Sequence, residues 1–420
     1  MATIGIVTAI ANPALEAVVI SGLGQSADDI AVVRRCVEVA DVLAIAASGQ
    51  ARAVVIGDNL AGLDADIVTR IAAHGVVPIA LTEPGSSWPS AHYFPVVLDA
   101  TTDPATLARQ IETAARAGVT HRPLLHDTEA TAPHPASSAQ PLRGRVIAVW
   151  GPAGAPGRST VAVGIADEIA RLEHHTLLID ADPYGGSLGA MLGLLDESPG
   201  IAAACRAAAA GTLDSTSLAR TCLQVAPNLR MLTGISRGDR WPELRPSGIE
   251  ALLAQARALA AVTVVDCGFS IEEDEELTYD TLAPRRNGAT TTALQLADEV
   301  LLVIGCDPVS VARGIRAAQE LRDLFPAITP RIVVNQVRSS VLNGDPQVQL
   351  DEALQRYAGL SAHSLLPLDR KACDAALLRG RMLAEVAPSS SLRKALTGLA
   401  RTLVPAADPA PRRRRRRARH

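Results

Sequence analysis

From Arg145 the chain reads Arg-Val-Ile-Ala-Val-Trp150, then Gly151-Pro-Ala-Gly-Ala-Pro-Gly-Arg-Ser-Thr160, then the apolar run Val161-Ala-Val-Gly-Ile-Ala-Asp-Glu-Ile-Ala170. A β-branched strand, a glycine-rich turn and a helix that starts at once is the opening of a parallel α/β unit built to hold an anion. Glycines let backbone N–H groups point inward, and the helix N-terminus adds its partial positive charge. Gly154, Ala155, Pro156, Gly157, Arg158, Ser159 and Thr160 are therefore the candidate phosphate contacts. Ser159 stands where a hydroxyl that holds Mg²⁺ belongs, and Thr160 can cap the helix or touch a phosphate. Arg158 stands where such turns carry lysine; its planar fork binds phosphate bidentately but is bulkier than a lysine point charge. The competing reading is a Gly/Pro turn with no ligand.

Carboxylates in the right order support the ligand reading. The strand Thr176-Leu-Leu-Ile179 ends in Asp180-Ala-Asp182-Pro, and Val262-Thr-Val-Val ends in Asp266-Cys-Gly268. Ligands of open α/β sheets bind at the carboxyl ends of strands. There Asp180 and Asp266 can hold Mg²⁺ through water, Asp182 can orient an attacking water, and Gly268 lets the backbone approach a terminal phosphate. Arg331-Ile-Val-Val ends in Asn335, whose amide carries both a donor and an acceptor for a base edge. Each position has a plainer reading: Asp182-Pro as a turn, Asp180 and Asp266 as caps, Asn335 as a turn former. The conjunction favours a nucleotide with its metal.

A chain of 420 residues exceeds one ordinary core. Short β-branched runs at Ile4 to Thr8, Ile30 to Val33, Ala53 to Ile56, Val76 to Leu81 and Phe94 to Leu98 alternate with helical patterns such as Val37 to Ala47, Ala65 to His74 and Pro104 to Ala117. That rhythm predicts a small parallel α/β domain over 1–118. A polar, proline-rich linker covers 119–142, a second α/β domain 143–404, and a disordered tail 405–420. Further strands are expected at Val300 to Ile304 and Arg331 to Val334.

Only 2% of residues are aromatic, which argues against base recognition by stacking. Arg412 to Arg417 and Arg419 crowd the last nine residues; removing these seven positive charges from a formal net charge of −4 leaves a body at −11. An acidic body with a basic tail points to one local electrostatic contact and away from specific nucleic-acid binding. The six cysteines show no metal spacing, no run is long enough to span a membrane, and the N-terminus lacks a basic leader, so a reduced, cytoplasmic protein is expected.

The order of Gly-rich turn, Asp-Ala-Asp-Pro, Val-Val-Asp-Cys-Gly, Leu-Ala-Asp-Glu-Val-Leu-Leu-Val and Val-Val-Asn-Gln-Val resembles the MinD/ParA ATPases over about residues 143–404. Leu366-Pro-Leu-Asp-Arg-Lys-Ala-Cys-Asp-Ala-Ala and Arg379-Gly-Arg-Met-Leu-Ala-Glu-Val-Ala-Pro-Ser-Ser resemble the tail of CpaE/TadZ proteins, which carry an N-terminal receiver-like domain and place pilus-assembly machinery; actinobacterial septum-site-determining relatives look similar. The resemblance implies a flavodoxin-like pseudo-receiver followed by a mostly parallel P-loop domain, ATP and Mg²⁺ as cofactors, and a nucleotide-dependent homodimer. It assigns Arg158, Ser159 and Thr160 to phosphate and Mg²⁺, Asp182 to water, Asp266 to Mg²⁺ and Asn335 to adenine. Ala153 stands where the class has a further lysine that crosses the dimer, which puts dimer-dependent hydrolysis in doubt. In the receiver-like domain Asp58 is the nearest thing to a phosphoacceptor, but Thr8 and Ala9 replace the acidic ligands, so a protein-binding role is expected.

Leu392, Ala395, Leu396, Leu399 and Leu403 share a helical face that packs on the domain's core in one reading; in the other, the arginine run that follows makes a contact with anionic lipid at the inner face of the cell membrane, with nucleic acid as the rival partner for the same charges. Three functions compete: an ATP-switched organiser of pilus, secretion or septum machinery with compromised hydrolysis; a pseudo-ATPase scaffold; and a DNA-partitioning protein.

Overall fold

The computed structural model describes residues 4–26, 30–57, 60, 63, 65–83, 94–118, 144–194, 199–272, 285–341 and 345–405. Asp58, the linker at 119–142 and the arginine run lie outside them.

The first sheet is built from β1 (Ile4–Ala9), β2 (Ile30–Arg35), β3 (Ala53–Gly57), β4 (Val77–Thr82) and β5 (Val96–Asp99). Its order is β2-β1-β3-β4-β5 and every pairing is parallel. This is the flavodoxin-like order of a doubly wound sheet. β3 is buried along its whole length, because helices cover both faces and leave no polar side to the strand. Pro104–Ala117 follows the expectation to the residue, started by an Asp103 cap on the Thr106 N–H and by proline at its first position. The helix Pro13–Ser26, which begins on a proline, was not read from the sequence.

The second sheet comprises β6 (Arg145–Trp150), β7 (Thr176–Ala181), β8 (Leu223–Ala226), β9 (Leu229–Leu232), β10 (Val262–Cys267), β11 (Glu299–Gly305), β12 (Arg331–Val337) and β13 (Ala362–Pro367). Its order is β13-β12-β11-β6-β10-β7-β9-β8, parallel except for the β8–β9 pair. The loop-bearing strand β6 is therefore central, with β10 on one side and β11 on the other. Two apolar layers sandwich the sheet, one around Trp150, Leu252 and Leu302, the other around Ile147, Ile165 and Leu396. Trp150, 1% exposed, places its indole N–H on the Phe269 carbonyl at 3.1 Å, satisfying the one polar atom it buries.

The C-terminal helix Ser391–Leu403 packs on the helix Arg158–Arg171, burying Leu392, Leu396, Leu399 and Leu403. The packing of that apolar face on the core is thus observed. Among the described residues no helix is long and apolar enough to cross a membrane.

Candidate nucleotide site

The loop between β6 and the helix Arg158–Arg171 is shaped by two glycines. Gly154 (φ 79°) and Gly157 (φ 77°) both adopt the left-handed region that side chains avoid. A Cβ on Gly157 would stand 2.5 Å from Asn335 Nδ2, so that position is closed sterically as well. Asn335, at the end of β12, donates from Nδ2 to the Pro156 carbonyl at 2.8 Å. The residue expected to meet a base thus also clamps the loop.

Register brings the carboxylates together. Along β10, Asp266 is the partner of Val149 on β6 and of Asp180 on β7, so the two acids lie side by side, Asp266 on the strand next to the loop strand and Asp180 on the strand beyond it. Both are buried, at 2% and 1% exposure. Asp180 accepts from the Leu188 N–H at 3.0 Å and the Asp182 N–H at 3.4 Å. Asp266 Oδ1 has no hydrogen-bond partner. Burial first, and then the Asp180 charge, push Asp266 up to about 8, against the pull of Ser159 and Arg158. Burial likewise raises Asp180 to about 6, its backbone N–H donors pulling the other way.

Asp182 is more open. Its Oδ1 accepts from the Tyr184 N–H at 2.9 Å and its Oδ2 lies 3.8 Å from Arg158. Burial raises its pKa, opposed by that N–H and by the charges of Arg158 and Arg286. Arg158 also donates to the Gly151 carbonyl at 2.8 Å, so its guanidinium is turned back across the loop. Ser159 accepts from Ser187 at 3.3 Å. Gly268 is needed for close approach: a Cβ there would meet Pro183 Cδ at 2.7 Å and Asp182 Oδ1 at 3.3 Å.

The oxygen set suits a hard cation. An orphaned, buried carboxylate oxygen beside a second acid and a serine hydroxyl is unfavourable unless a proton or a cation meets it. Mg²⁺ takes one or two carboxylates and completes its shell with water and phosphate oxygens, and these oxygen donors are of that kind.

Sequence reasoning missed two groups here. Thr290 is fully buried with its hydroxyl unpartnered, 3.0 Å from where a Gly268 Cβ would be. Tyr184 stacks on Phe269 at 4.3 Å between centroids, lies under the Arg286 guanidinium at 4.2 Å, and donates to Asn287 at 2.8 Å, forming a wall behind Asp182.

No protein-family model and no curated protein matches the chain. Among solved structures it is similar to a ParA family ATPase from Chlorobium tepidum TLS, with 20% identity, a TM-score of 0.48, and coverage of 62% of this chain and 98% of that one. It is similar to the cell division ATPase MinD of Pyrococcus furiosus, with 18% identity, a TM-score of 0.49 and the same coverages. A third is the septum site-determining protein MinD of Pyrococcus horikoshii OT3, complexed with Mg-ADP, with 17% identity, a TM-score of 0.47, and coverage of 62% and 96%.

Proposed function

We propose that residues 143–404 form an ATP- and Mg²⁺-binding domain of MinD/ParA type, and that the chain is a CpaE/TadZ-like spatial organiser of pilus, secretion or septum machinery. The observation that carries this is the convergence of three carboxylates on one loop: Asp266 and Asp180 in register beside it, and Asp182 in reach of Arg158. Phosphoryl transfer depends on position and charge, and these groups supply both. Ser159 and Asp266 hold the metal, with Asp180 beside them; the backbone of 154–160 and Arg158 hold phosphate; Asp182, the most open of the acids, orients water. Bound Mg²⁺ supplies charge neutralisation at the phosphate oxygens. Residues 1–118 act as a pseudo-receiver that binds protein partners, joined through 119–142. The homodimer forms with nucleotide, and the tail at 405–420 holds the cytoplasmic protein at the inner face of the membrane.

Hydrolysis is weak in this reading, because Arg158 is engaged with Gly151 and Asp182 and position 153 offers no cation. The same two features favour a scaffold without turnover as the second reading. Equilibrium binding of Mg-ATP followed by single-turnover phosphate release separates them. In the first, Asp182→Ala retains binding and loses turnover by about a hundredfold. In the second, parent and variant bind alike and neither turns over. A parent that binds no nucleotide would sink both.

A further inference from the structure

The helix Pro308–Leu324 starts at an Asp307 cap that accepts from the Ser310 N–H at 3.0 Å. Gly314 draws this helix tight against β11, since a Cβ there would lie 2.5 Å from Ile304 Cγ2. Close packing fixes where the preceding residue goes. Arg313 Nη1 stands 2.5 Å from where a Gly154 Cβ would be, and Arg313 faces Ala153 and Gly154 across a narrow cleft with Ser310. Its side chain is exposed and makes no hydrogen bond or ion pair with another described residue.

Charge explains why an idle cation at this rim matters. The site assembles three carboxylates, and a nucleoside triphosphate adds several more negative charges. Of the cations that face those acids, Arg158 is held by Gly151 and Asp182, and Arg286 lies over the Tyr184 ring. The backbone N–H groups nearest the helix N-terminus serve the inner phosphates. The rim at 153–154 lies at the end of the loop away from that helix, and Arg313 stands against it.

We propose that Arg313 reads the terminal phosphate of a nucleoside triphosphate bound in the 151–160 loop, so that the site separates triphosphate from diphosphate. The inference rests on the nucleotide reading above and adds to it a residue that supplies, from a neighbouring helix, the cation the loop lacks. A planar guanidinium suits the task, since it grips phosphate oxygens with two parallel N–H bonds.

The test is equilibrium binding of Mg²⁺ with AMP-PNP and with ADP to the full chain, comparing the parent with Arg313→Ala, Arg313→Lys and, as a control on the same helix, Arg316→Ala. Arg313→Ala is expected to weaken AMP-PNP about tenfold or more while changing ADP less than about twofold, because a hydrogen bond to a charged group is lost only with the triphosphate. Arg313→Lys keeps most of the preference and Arg316→Ala keeps all of it. Equal losses for the two nucleotides, or no loss, would overturn the assignment while leaving nucleotide binding intact. A parent that binds neither would overturn it together with the functional reading. The exposed position makes folding of the variants secure, and unchanged thermal midpoints check it.

Discussion

Asp266 carries a carboxylate that the fold takes out of water without supplying all its partners: Oδ1 is orphaned while Ser159 and Arg158 pull only partly against burial. Its pKa is raised from 3.8 to about 8, and that of Asp180 to about 6. The folded chain therefore binds more protons than the unfolded chain between about pH 4 and 8, and without metal its stability falls as pH rises through that window. Asp266→Asn should remove most of this dependence and raise the metal-free thermal midpoint at pH 8 by a few degrees. It should also abolish the further stabilisation that Mg-ATP gives the parent. Thermal melts at pH 5.5 and 8, with and without Mg-ATP, check both parts; a variant less stable than the parent at pH 8 would mean the carboxylate is already satisfied. At this scale what was legible was position: Asp180 and Asp266 close apolar runs in the sequence and lie at the ends of β7 and β10 in the fold. Thr290 and Arg313 were silent. Nothing in Thr290-Thr-Thr292 distinguishes the first threonine, and an arginine on an exposed helix is ordinary until the fold sets it against the loop.

Between elements, the contact that anchors the loop's helix is the seam between Arg158–Arg171 and Ser391–Leu403. Gly164 leaves room for Leu396, whose Cδ1 would lie 2.6 Å from a Cβ at 164. Beside it buried Glu168 accepts from Arg393 and from Thr397, both at 2.8 Å. Leu396→Ala is expected to cost about 2–5 kcal/mol through the cavity it leaves. Gly164→Ala crowds the parent seam, but in the Leu396→Ala background it fills part of the hole and gains helix propensity of about 1 kcal/mol. The double-mutant cycle in urea should therefore show strong coupling of compensating sign; additive effects would mean the two helices do not meet there. The strands that build this core were readable because burial on both faces makes them uniform apolar runs. β8 and β13 escaped because they are the edge strands and keep polar residues, as in Leu223-Gln-Val-Ala226 and Ala362-His-Ser-Leu-Leu-Pro367, and β9 because it is only four residues long and interrupted by Arg230. Their short mixed patterns do not differ from loops.

For the whole molecule, the distribution of charge sets how the proposed nucleotide-bound dimer would meet a membrane. A body at −11 is repelled by an anionic bilayer, so in the proposed reading attachment rests on the seven arginines at the C-terminus. Each is worth about 1 kcal/mol near such a surface and acts only within a Debye length of about 8 Å. One tail is then a weak, salt-sensitive contact, whereas a nucleotide-bound dimer presents two on the same bilayer, the second binding at high effective concentration. The C-terminal helix cannot substitute, because its leucines are spent on the core. Sedimentation with phosphatidylglycerol-rich vesicles should consequently rise with Mg-AMP-PNP, fall steeply with salt, and vanish when the chain is cut after Val404. Vesicle binding that survives the truncation would place the membrane contact on the folded body, against its charge. Binding that ignores nucleotide would uncouple the tail from the dimer.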